Sequence, residues 1–253
     1  MPVKIDSAPQ QHPSGPALAV DVWRGRMDGR RQRFDVPRRS NQTVLDVVTY
    51  IQRRLDPTLA YRFACRVGVC GSCAMNVNGR PRWTCRTRVS QVAGDGKLDL
   101  APLSNLPIIR DLVADLAPFF DKVQRARGRF EPGKQAADRL AEVAPTAPER
   151  VAADAAIECI GCAVCYSACD VVAWQPDYLG PAALNRAWAA YNDVRDADRP
   201  GVLAAVSGDG GCHSCHTHQA CTDHCPIGLS PTRSIAGLKR ASASAYLRRR
   251  LGS

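Results

Sequence analysis

The sequence predicts an α+β fold, in which a small mixed α and β domain precedes an all-α domain. Strand signals are concentrated in residues 18–115, helical signals dominate after residue 150, and a stretch rich in Pro, Ala, Gly and charge separates them. The 253 residues suffice for two modest domains, since a domain usually has about 100–200 residues. We therefore predict domains at 18–115 and 116–253, preceded by a flexible extension over 1–17.

The first domain is predicted to contain short strands around one helix. Alternation of apolar and polar residues predicts a strand at 18–23, and further strands are predicted at 32–36, 74–77 and 97–100. Asn78 and Gly79 are a typical pair for the turn of a hairpin. A helix is predicted over 43–55, because Thr43 and Asp46 have the spacing of an N-terminal capping box and the residues after Thr43 give the helix an apolar face.

The second domain is predicted to be helical. Residues 128–150 show no sustained periodicity and are predicted to connect the two domains. Pro181 and Pro231 suit the first turn of a helix. The predicted helices of this domain cover 157–167, 181–191 and 231–240.

The cysteines are predicted to bind metal. No apolar stretch approaches the roughly 20 residues that span a bilayer, and residues 1–17 lack the apolar segment of a secretory signal. We therefore expect a soluble or peripheral protein in a reducing cytoplasm. Structural disulfides are rare there, and clustered cysteines are more often metal ligands. Eight of the twelve cysteines lie in the second domain.

The charge is basic and uneven. The formal net charge is +10, and residues 1–115 carry 18 of the 34 basic residues but only ten of the 24 acidic ones. Such a surplus fits nucleic acid, an anionic membrane or an acidic partner subunit. Because helices with interleaved aromatic and basic residues are not evident, we predict no nucleic-acid partner.

Four cysteines of the first domain have the C-x4-C-x2-C spacing, with a later fourth member, that is typical of plant-type 2Fe-2S ferredoxins. They are Cys65, Cys70, Cys73 and Cys85. Gly68 and Gly71 let the loop approach a cluster without side-chain obstruction. The alternative is a zinc site, for which an x4 spacing followed by x2 is unusual.

A second group follows the C-x2-C-x2-C-x3-C pattern of bacterial ferredoxins, in which the fourth cysteine binds the other of two clusters. Crossing the fourth ligands predicts a 4Fe-4S centre held by Cys159, Cys162, Cys165 and Cys225. The remaining ligands, Cys169, Cys215 and Cys221, number three and therefore predict a 3Fe-4S centre.

Two residues near the last group have no assigned cluster role. His218 occupies the position where a fourth cysteine is missing. It could bind a fourth iron, but we favour a role in which His218 lies near the cluster and does not bind it. Cys212 is left over as a free or solvent-near thiol, unless it replaces Cys215 in a rearranged site. Three clusters in one chain form an electron relay, and no catalytic triad or phosphate-binding glycine loop competes with that interpretation.

The sequence resembles the iron-sulfur subunit of succinate dehydrogenase and fumarate reductase from about Leu18 to Arg240. The order of the three ligand groups is that of the family. The other segments that carry the resemblance are 61–66 (YRFACR), 106–113 (LPIIRDLV), 180–183 (GPAA) and 231–235 (PTRSI). The resemblance implies a β-grasp 2Fe-2S ferredoxin-like domain followed by an α-helical ferredoxin-like domain.

The resemblance also implies a path for electrons. They would pass from FAD in a flavoprotein subunit through the 2Fe-2S, 4Fe-4S and 3Fe-4S centres to a quinone beside membrane-anchor subunits. The chain would then be one subunit of an oxidoreductase, bound peripherally at the cytoplasmic face of the plasma membrane. Whether the anchor carries haem b is left open.

The positions that lie near the quinone in many succinate-oxidising members are here Trp174 and His216, which favours succinate oxidation over fumarate reduction. The sequence departs from the family pattern at Asp170, where proline is usual, and at His218, where many members have a small apolar residue. An iron-sulfur subunit of a different flavoprotein is the redox alternative, although extra cysteine-rich domains would then be expected.

Overall fold

The protein folds as a mixed sheet domain followed by a helical domain, as the sequence predicts. The structure is a computed structural model and describes residues 17–133 and 143–252. The predicted flexible extension therefore lies outside the described residues, apart from Ala17, which begins the first strand. None of the helices within the described ranges is both long enough and apolar enough to cross a membrane.

The first domain contains a five-stranded mixed sheet. Its strands are β1 (Ala17–Arg24), β2 (Arg30–Pro37), β3 (Ala74–Val77), β4 (Arg80–Trp83) and β5 (Lys97–Ala101). They lie in the order β2-β1-β5-β3-β4, with β1 parallel to β5 and the other neighbours antiparallel. Asn78 and Gly79, both at positive φ, form the predicted turn between β3 and β4. A small ribbon of β6 (Ile108–Arg110) and β7 (Val113–Ala114) was not predicted.

One helix packs against this sheet. It comprises α1 (Val44–Tyr50) and a π-helical turn over Ile51–Leu55, and a short α2 (Val89–Val92) lies nearby. Apolar side chains of α1 join alternate residues of the strands in one buried core. The predicted capping box is confirmed, because Thr43 Oγ1 accepts from Asp46 N at 3.2 Å and Asp46 Oδ2 accepts from Thr43 N at 3.0 Å.

Removal of this cap is expected to destabilise the first domain. Thr43→Ala leaves the Asp46 N–H without its side-chain acceptor, which typically costs about 1 kcal/mol. Thermal unfolding of the cluster-loaded chain should begin at a lower temperature. Thr43→Ser keeps the hydroxyl and should unfold as the wild type does; equal losses in both variants would contradict the role of the cap.

The second domain is built from short helices around two longer ones. These helices are α3 (Ala117–Arg125), α4 (Pro148–Ile157), α5 (Val164–Ser167), α6 (Asp170–Trp174), α7 (Pro181–Asn192), α8 (Arg199–Ser207), α9 (Ala220–Asp223) and α10 (Pro231–Leu251). A 3₁₀ turn covers Cys212–Ser214. Pro181 and Pro231 stand at helix starts as predicted, and α10 continues eleven residues past its predicted end at Arg240.

The helix predicted over 157–167 is wrong. Helix α4 ends at Ile157, and the chain is helical again only from Val164. Gly161 has φ +68° and Ala163 has φ +62°, a left-handed conformation that interrupts a right-handed helix. The cysteines of this stretch therefore lie on a loop and one helical turn.

The predicted connecting segment 128–150 is partly structured. Residues 134–142 lie outside the described part of the chain, but Glu131 N donates to Asp196 Oδ2 at 3.1 Å and Pro132 bridges to Asp196. Helix α4 begins inside the segment at Pro148. Its Ala-rich sequence has little contrast between faces, which explains why periodicity did not reveal it.

The two domains are joined by hydrogen bonds near the cysteine loops. Ser104 N donates to Ser167 Oγ at 2.8 Å. The Asn105 carboxamide nitrogen lies 3.1, 3.3 and 3.1 Å from the carbonyl oxygens of Tyr166, Ser167 and Cys169. These bonds fix the segment after the first domain against the loop that carries the second cysteine group.

Candidate iron-sulfur sites

The first cysteine loop surrounds its sulfur atoms with hydrogen-bond donors. The backbone N–H groups of Val69 and Cys70 each lie 3.3 Å from Cys65 Sγ. Cys70 Sγ accepts from Cys65 N at 3.4 Å and from Ser72 Oγ at 3.2 Å. Donors aimed at thiolate sulfur stabilise negative charge there, as an iron-bound thiolate requires. Cys73 and Cys85 close the group from the start and end of the β3–β4 hairpin.

Two glycines of this loop are required by space as well as by backbone conformation. Gly68 has φ +76°, and a Cβ there would lie 2.8 Å from Cγ of Arg86. Gly71 has φ +71°, and a Cβ there would lie 2.5 Å from Cβ of Cys162. The first cysteine loop therefore touches the second at Gly71, without intervening side chains.

The thiols of the first group differ in acidity. Backbone N–H groups, led by that of Val69, lower the pKa of Cys65 to about 6. Burial, reinforced by neighbouring Cys73, raises the pKa of Cys85 to about 11. The exposed side of the loop thus favours thiolate, whereas the buried side favours thiol until iron binds.

This difference predicts selective labelling of the chain once its clusters have been removed. Because the thiolate is the nucleophile, Cys65 should be alkylated before Cys85 at neutral pH. The Cys65 rate should rise through about pH 6 and then level off. Mass spectrometry of digested peptides after short exposures measures both rates. Equal labelling of Cys65 and Cys85 at pH 7 would contradict this prediction.

The structure brings the four predicted 4Fe-4S ligands together. They line one small cavity: Cys159, Cys162, Cys165 and Cys225. Burial raises the pKa of Cys162, and the charges of Cys159 and Cys225 raise it further. Leu229 N donates to Cys225 Sγ at 3.3 Å. Apolar residues such as Ile160 and Leu229 form much of the remaining wall.

The three predicted 3Fe-4S ligands also lie near one another. Burial raises the pKa of Cys169, and the charges of Cys221 and Cys215 raise it further. Thr217 N donates to Cys215 Sγ at 3.4 Å, and Thr232 Oγ1 lies 3.3 Å from Cys221 Sγ.

Sequence reasoning missed a tyrosine beside this third group. Tyr178 is buried, and its pKa is raised by that burial and by the charges of Cys215 and Cys169. It belongs to the segment between α6 and α7. No periodic pattern indicates such packing of one loop against another.

Cys212 is fully buried, so the prediction that its thiol lies near solvent is wrong. It begins the 3₁₀ turn before Cys215, and burial raises its pKa. The side chain belongs to the main apolar core of the second domain. A small apolar packing role is what such a buried free cysteine usually has.

Trp174 and His216 meet at the protein surface, together with His218. Trp174 is 59% exposed, and its ring centroid lies 6.0 Å from that of His216 and 6.1 Å from that of His218. The His218 ring is thus in an exposed aromatic group, a contact that the sequence did not predict. Asp170 is also exposed, in the first turn of α6, where a carboxylate is favoured by the helix dipole.

The donor set fits iron-sulfur clusters. Over residues 17–133 and 143–252, no three His, Cys, Asp or Glu side chains are arranged around a point that a single metal ion would occupy. Three observations favour clusters: thiols are grouped with N–H donors, glycines stand where one cysteine loop closely approaches the other, and four cysteines surround one cavity. We name Cys65, Cys70, Cys73 and Cys85 as the residues that would hold the first cluster.

Comparison with known proteins agrees with both domains. Residues 19–121 match the family described as 2Fe-2S iron-sulfur cluster binding domain, and residues 158–230 match the 4Fe-4S dicluster domain. The chain is 36% identical over 223 residues to a fumarate reductase iron-sulfur subunit of Mycobacterium tuberculosis, covering 87% of this chain and 89% of that one. It is also 36% identical over 197 residues to a succinate dehydrogenase iron-sulfur subunit of Paracoccus denitrificans, covering 78% and 74%.

The fold is shared with a solved structure. A chain of the Mycobacterium smegmatis Sdh1 complex in the apo form superposes with a TM-score of 0.81 and 28% identity, covering 92% of this chain and 98% of that one. The resemblance inferred from the sequence is therefore confirmed, as is the order of a ferredoxin-type domain and a helical cluster domain. With 36% identity over most of both chains, this protein belongs to the iron-sulfur subunits of the succinate dehydrogenase and fumarate reductase family of oxidoreductase complexes.

Proposed function

We propose that this chain is the electron-transfer subunit of a succinate:quinone oxidoreductase. It would relay electrons from FAD in a flavoprotein subunit to membrane quinone through 2Fe-2S, 4Fe-4S and 3Fe-4S centres, in the direction of succinate oxidation. The centres, when bound, supply one-electron transfer. The chain itself holds them in order, excludes water from them and presents each end of the relay to a partner.

The observation that carries the proposal is the spatial succession of the three cysteine groups. The first group touches the second where Gly71 packs against Cys162. The second approaches the third, because α5, which carries Cys165, packs against α9, which carries Cys221 of the third group. Because each cysteine group lies next to the following one in space, the three groups favour a linear relay over separate structural sites.

The first cysteine loop offers an entry for electrons. Val67 and Val69 are 60% and 64% exposed and lie between Cys65 and Cys70. Exposed apolar side chains on such a loop suit a partner surface that covers it. The basic surplus of residues 1–115 favours an acidic face on that partner. We assign this side of the chain to the FAD-containing flavoprotein subunit.

The exposed group of Trp174, His216 and His218 offers the exit. It adjoins Cys215, a member of the third group, and has ring faces and imidazole N–H groups that can contact a quinone. We propose that Trp174 and His216 lie in the quinone site, at the boundary with the membrane-anchor subunits.

The end of α10 supports a membrane-facing position for the second domain. Arg248, Arg249 and Arg250 occupy its last turn, and Tyr246 and Leu251 beside them are exposed. Arginines with aromatic and apolar neighbours suit an anionic lipid surface or an anchor subunit. We propose peripheral attachment through anchor subunits at the cytoplasmic face of the plasma membrane.

Fumarate reduction is the second candidate. The 36% identical relative from Mycobacterium tuberculosis is a fumarate reductase iron-sulfur subunit, whereas the equally identical relative from Paracoccus denitrificans is a succinate dehydrogenase subunit. The purified complex distinguishes the two directions: we expect succinate-dependent quinone reduction to be faster than quinol-dependent fumarate reduction. The opposite ratio would favour the second candidate.

Electron paramagnetic resonance tests the cluster content. We expect a 3Fe-4S signal in the oxidised protein and a 2Fe-2S signal in the reduced protein. Two 4Fe-4S spectra without a 3Fe-4S signal would contradict the assignment of Cys169, Cys215 and Cys221 as a three-ligand site. A colourless protein that contains zinc would exclude the relay altogether.

Substitution of Trp174 should weaken the quinone step alone. Trp174→Leu removes the ring against which His216 and His218 pack, and we expect the KM for quinone to rise about tenfold, as loss of one aromatic contact of about 1.4 kcal/mol would produce. Succinate-dependent reduction of an artificial dye that accepts electrons upstream should be unchanged. Trp23→Leu, in the first domain, is the matched control. An unchanged quinone KM in Trp174→Leu would remove Trp174 from the proposed site.

A further inference from the structure

Trp83 lies between the first two cysteine groups. It ends β4, where it pairs with Ala74 of β3, and its side chain is only 4% exposed. The indole is in one buried cluster with Cys73 and Cys85 of the first group and a few apolar side chains, and Cys162 of the second group packs against that cluster. A residue of the sheet domain thus reaches the cysteine loop of the helical domain.

The indole N–H of Trp83 is buried and has no acceptor among the described protein atoms. Two other indoles have protein acceptors: Trp23 donates to Arg26 O at 3.1 Å and Trp188 donates to Ala152 O at 2.7 Å. An indole nitrogen is only a donor, and leaving a buried donor without a partner destabilises the folded state. Such an unpaired donor in a folded protein points to a hydrogen-bond acceptor, for example an ion or a ligand, that binds beside it.

The Cys162 sulfur is the acceptor that the surroundings favour. Cys162 packs against the buried cluster that contains the indole, and it is the second-group cysteine found there. In the structure the indole N–H and this sulfur do not meet full hydrogen-bond geometry, so the N–H is still without an acceptor. A thiolate bound to iron is a stronger acceptor than a neutral thiol because it carries negative charge.

We propose that the indole N–H of Trp83 donates a hydrogen bond to the sulfur of Cys162 when the 4Fe-4S centre is bound, and thereby raises the reduction potential of that centre. The inference rests on the proposed assignment of Cys162 to the 4Fe-4S centre. Reduction adds negative charge, which a fixed donor stabilises, and hydrogen bonds to sulfur are one determinant of cluster potential.

If this assignment is correct, a residue of the first domain raises the reduction potential of a centre that the second domain holds. The cysteines of the second group come only from residues 159–225, but Trp83 is fixed by the pairing of β3 and β4. The potential of the 4Fe-4S centre then depends on the docking of the two domains. A donor from within the helical domain would not create that dependence.

The test is the conservative variant Trp83→Phe in the full chain, purified in whatever complex the cell assembles. Phenylalanine keeps an aromatic ring in the core but lacks the N–H. In a redox titration followed by electron paramagnetic resonance, we expect the 4Fe-4S midpoint potential to fall while the other two centres keep theirs. Trp23→Phe is the matched control, because its N–H binds a backbone carbonyl, and it should leave all three potentials unchanged. An unchanged 4Fe-4S potential in Trp83→Phe overturns the proposal.

A second measurement on the wild-type chain does not depend on how the variant folds. Tryptophan labelled with ¹⁵N at the indole nitrogen should give a hyperfine coupling in pulsed spectra of the reduced 4Fe-4S centre, and exchange into D₂O should give a coupled deuteron. A deuteron coupling without nitrogen coupling would indicate a bound water instead and overturn the proposal. Absence of any 4Fe-4S signal in the wild type would instead overturn the proposed function, so the two failures are distinguishable.

Discussion

Cys225→Ala should abolish the 4Fe-4S signal and leave the 3Fe-4S signal, whereas Cys169→Ala should do the reverse. The two residues are crossed relative to the sequence, since Cys169 follows directly on the run that holds Cys159, Cys162 and Cys165. In the structure Cys225 lines the cavity of that run. The pKa of Cys169, by contrast, is raised by burial and then by the charges of Cys221 and Cys215. Iron content and resonance spectra of the purified variants measure both effects.

Activity should fall to background in both variants, because each breaks the relay. Succinate-dependent quinone reduction should be lost, while reduction of a dye that accepts electrons at the flavin should persist. Cys212→Ala is the matched control: its thiol lies in the apolar core and we assign it to no cluster, so it should keep all three signals. Loss of the 4Fe-4S signal in Cys169→Ala would contradict the crossed assignment.

His218→Cys should convert the three-iron centre to a four-iron one. It supplies a thiolate at the position where the ferredoxin pattern lacks a cysteine, between Cys215 and Cys221. We expect the 3Fe-4S signal of the oxidised protein to disappear and a second 4Fe-4S signal to appear on reduction. Quinone reduction should fall more than tenfold, because a 4Fe-4S centre with four thiolates has a lower potential than the centre it replaces.

His218→Ala separates a ligand role from a surface role. The structure places the His218 ring against exposed Trp174, 6.1 Å between centroids. The 3Fe-4S signal should therefore survive the loss of the imidazole. If His218→Ala eliminates that signal, His218 binds iron and the surface role is wrong.

Much of the fold could be predicted because local signals agree with tertiary structure. The capping box at Thr43 and Asp46, the turn at Asn78 and Gly79, and the prolines that begin α7 and α10 are short-range features whose geometry the neighbouring residues determine. Cysteine spacing within one run is equally local, since a cluster-binding loop must bring its thiols together within a few residues.

The failures arose where backbone conformation or packing between loops decides the outcome. A helix is predicted over 157–167, but Gly161 and Ala163 have a left-handed backbone conformation and form a loop there. Ala163 is not glycine, so no compositional signal indicates its positive φ. Burial of Cys212, the position of Tyr178 and the contact of His218 with Trp174 depend on segments far apart in the chain.

The carboxamide of Asn105 has a consequence for how the two domains can be exchanged. Its nitrogen donates to three carbonyl oxygens of the segment from Tyr166 to Cys169. The Asn105 backbone has a φ of +63° at this position. A ferredoxin domain transplanted from a relative would have to reproduce this backbone and this side chain together. The domains are therefore not independent modules: either one can diverge only as far as the shared joint between them allows.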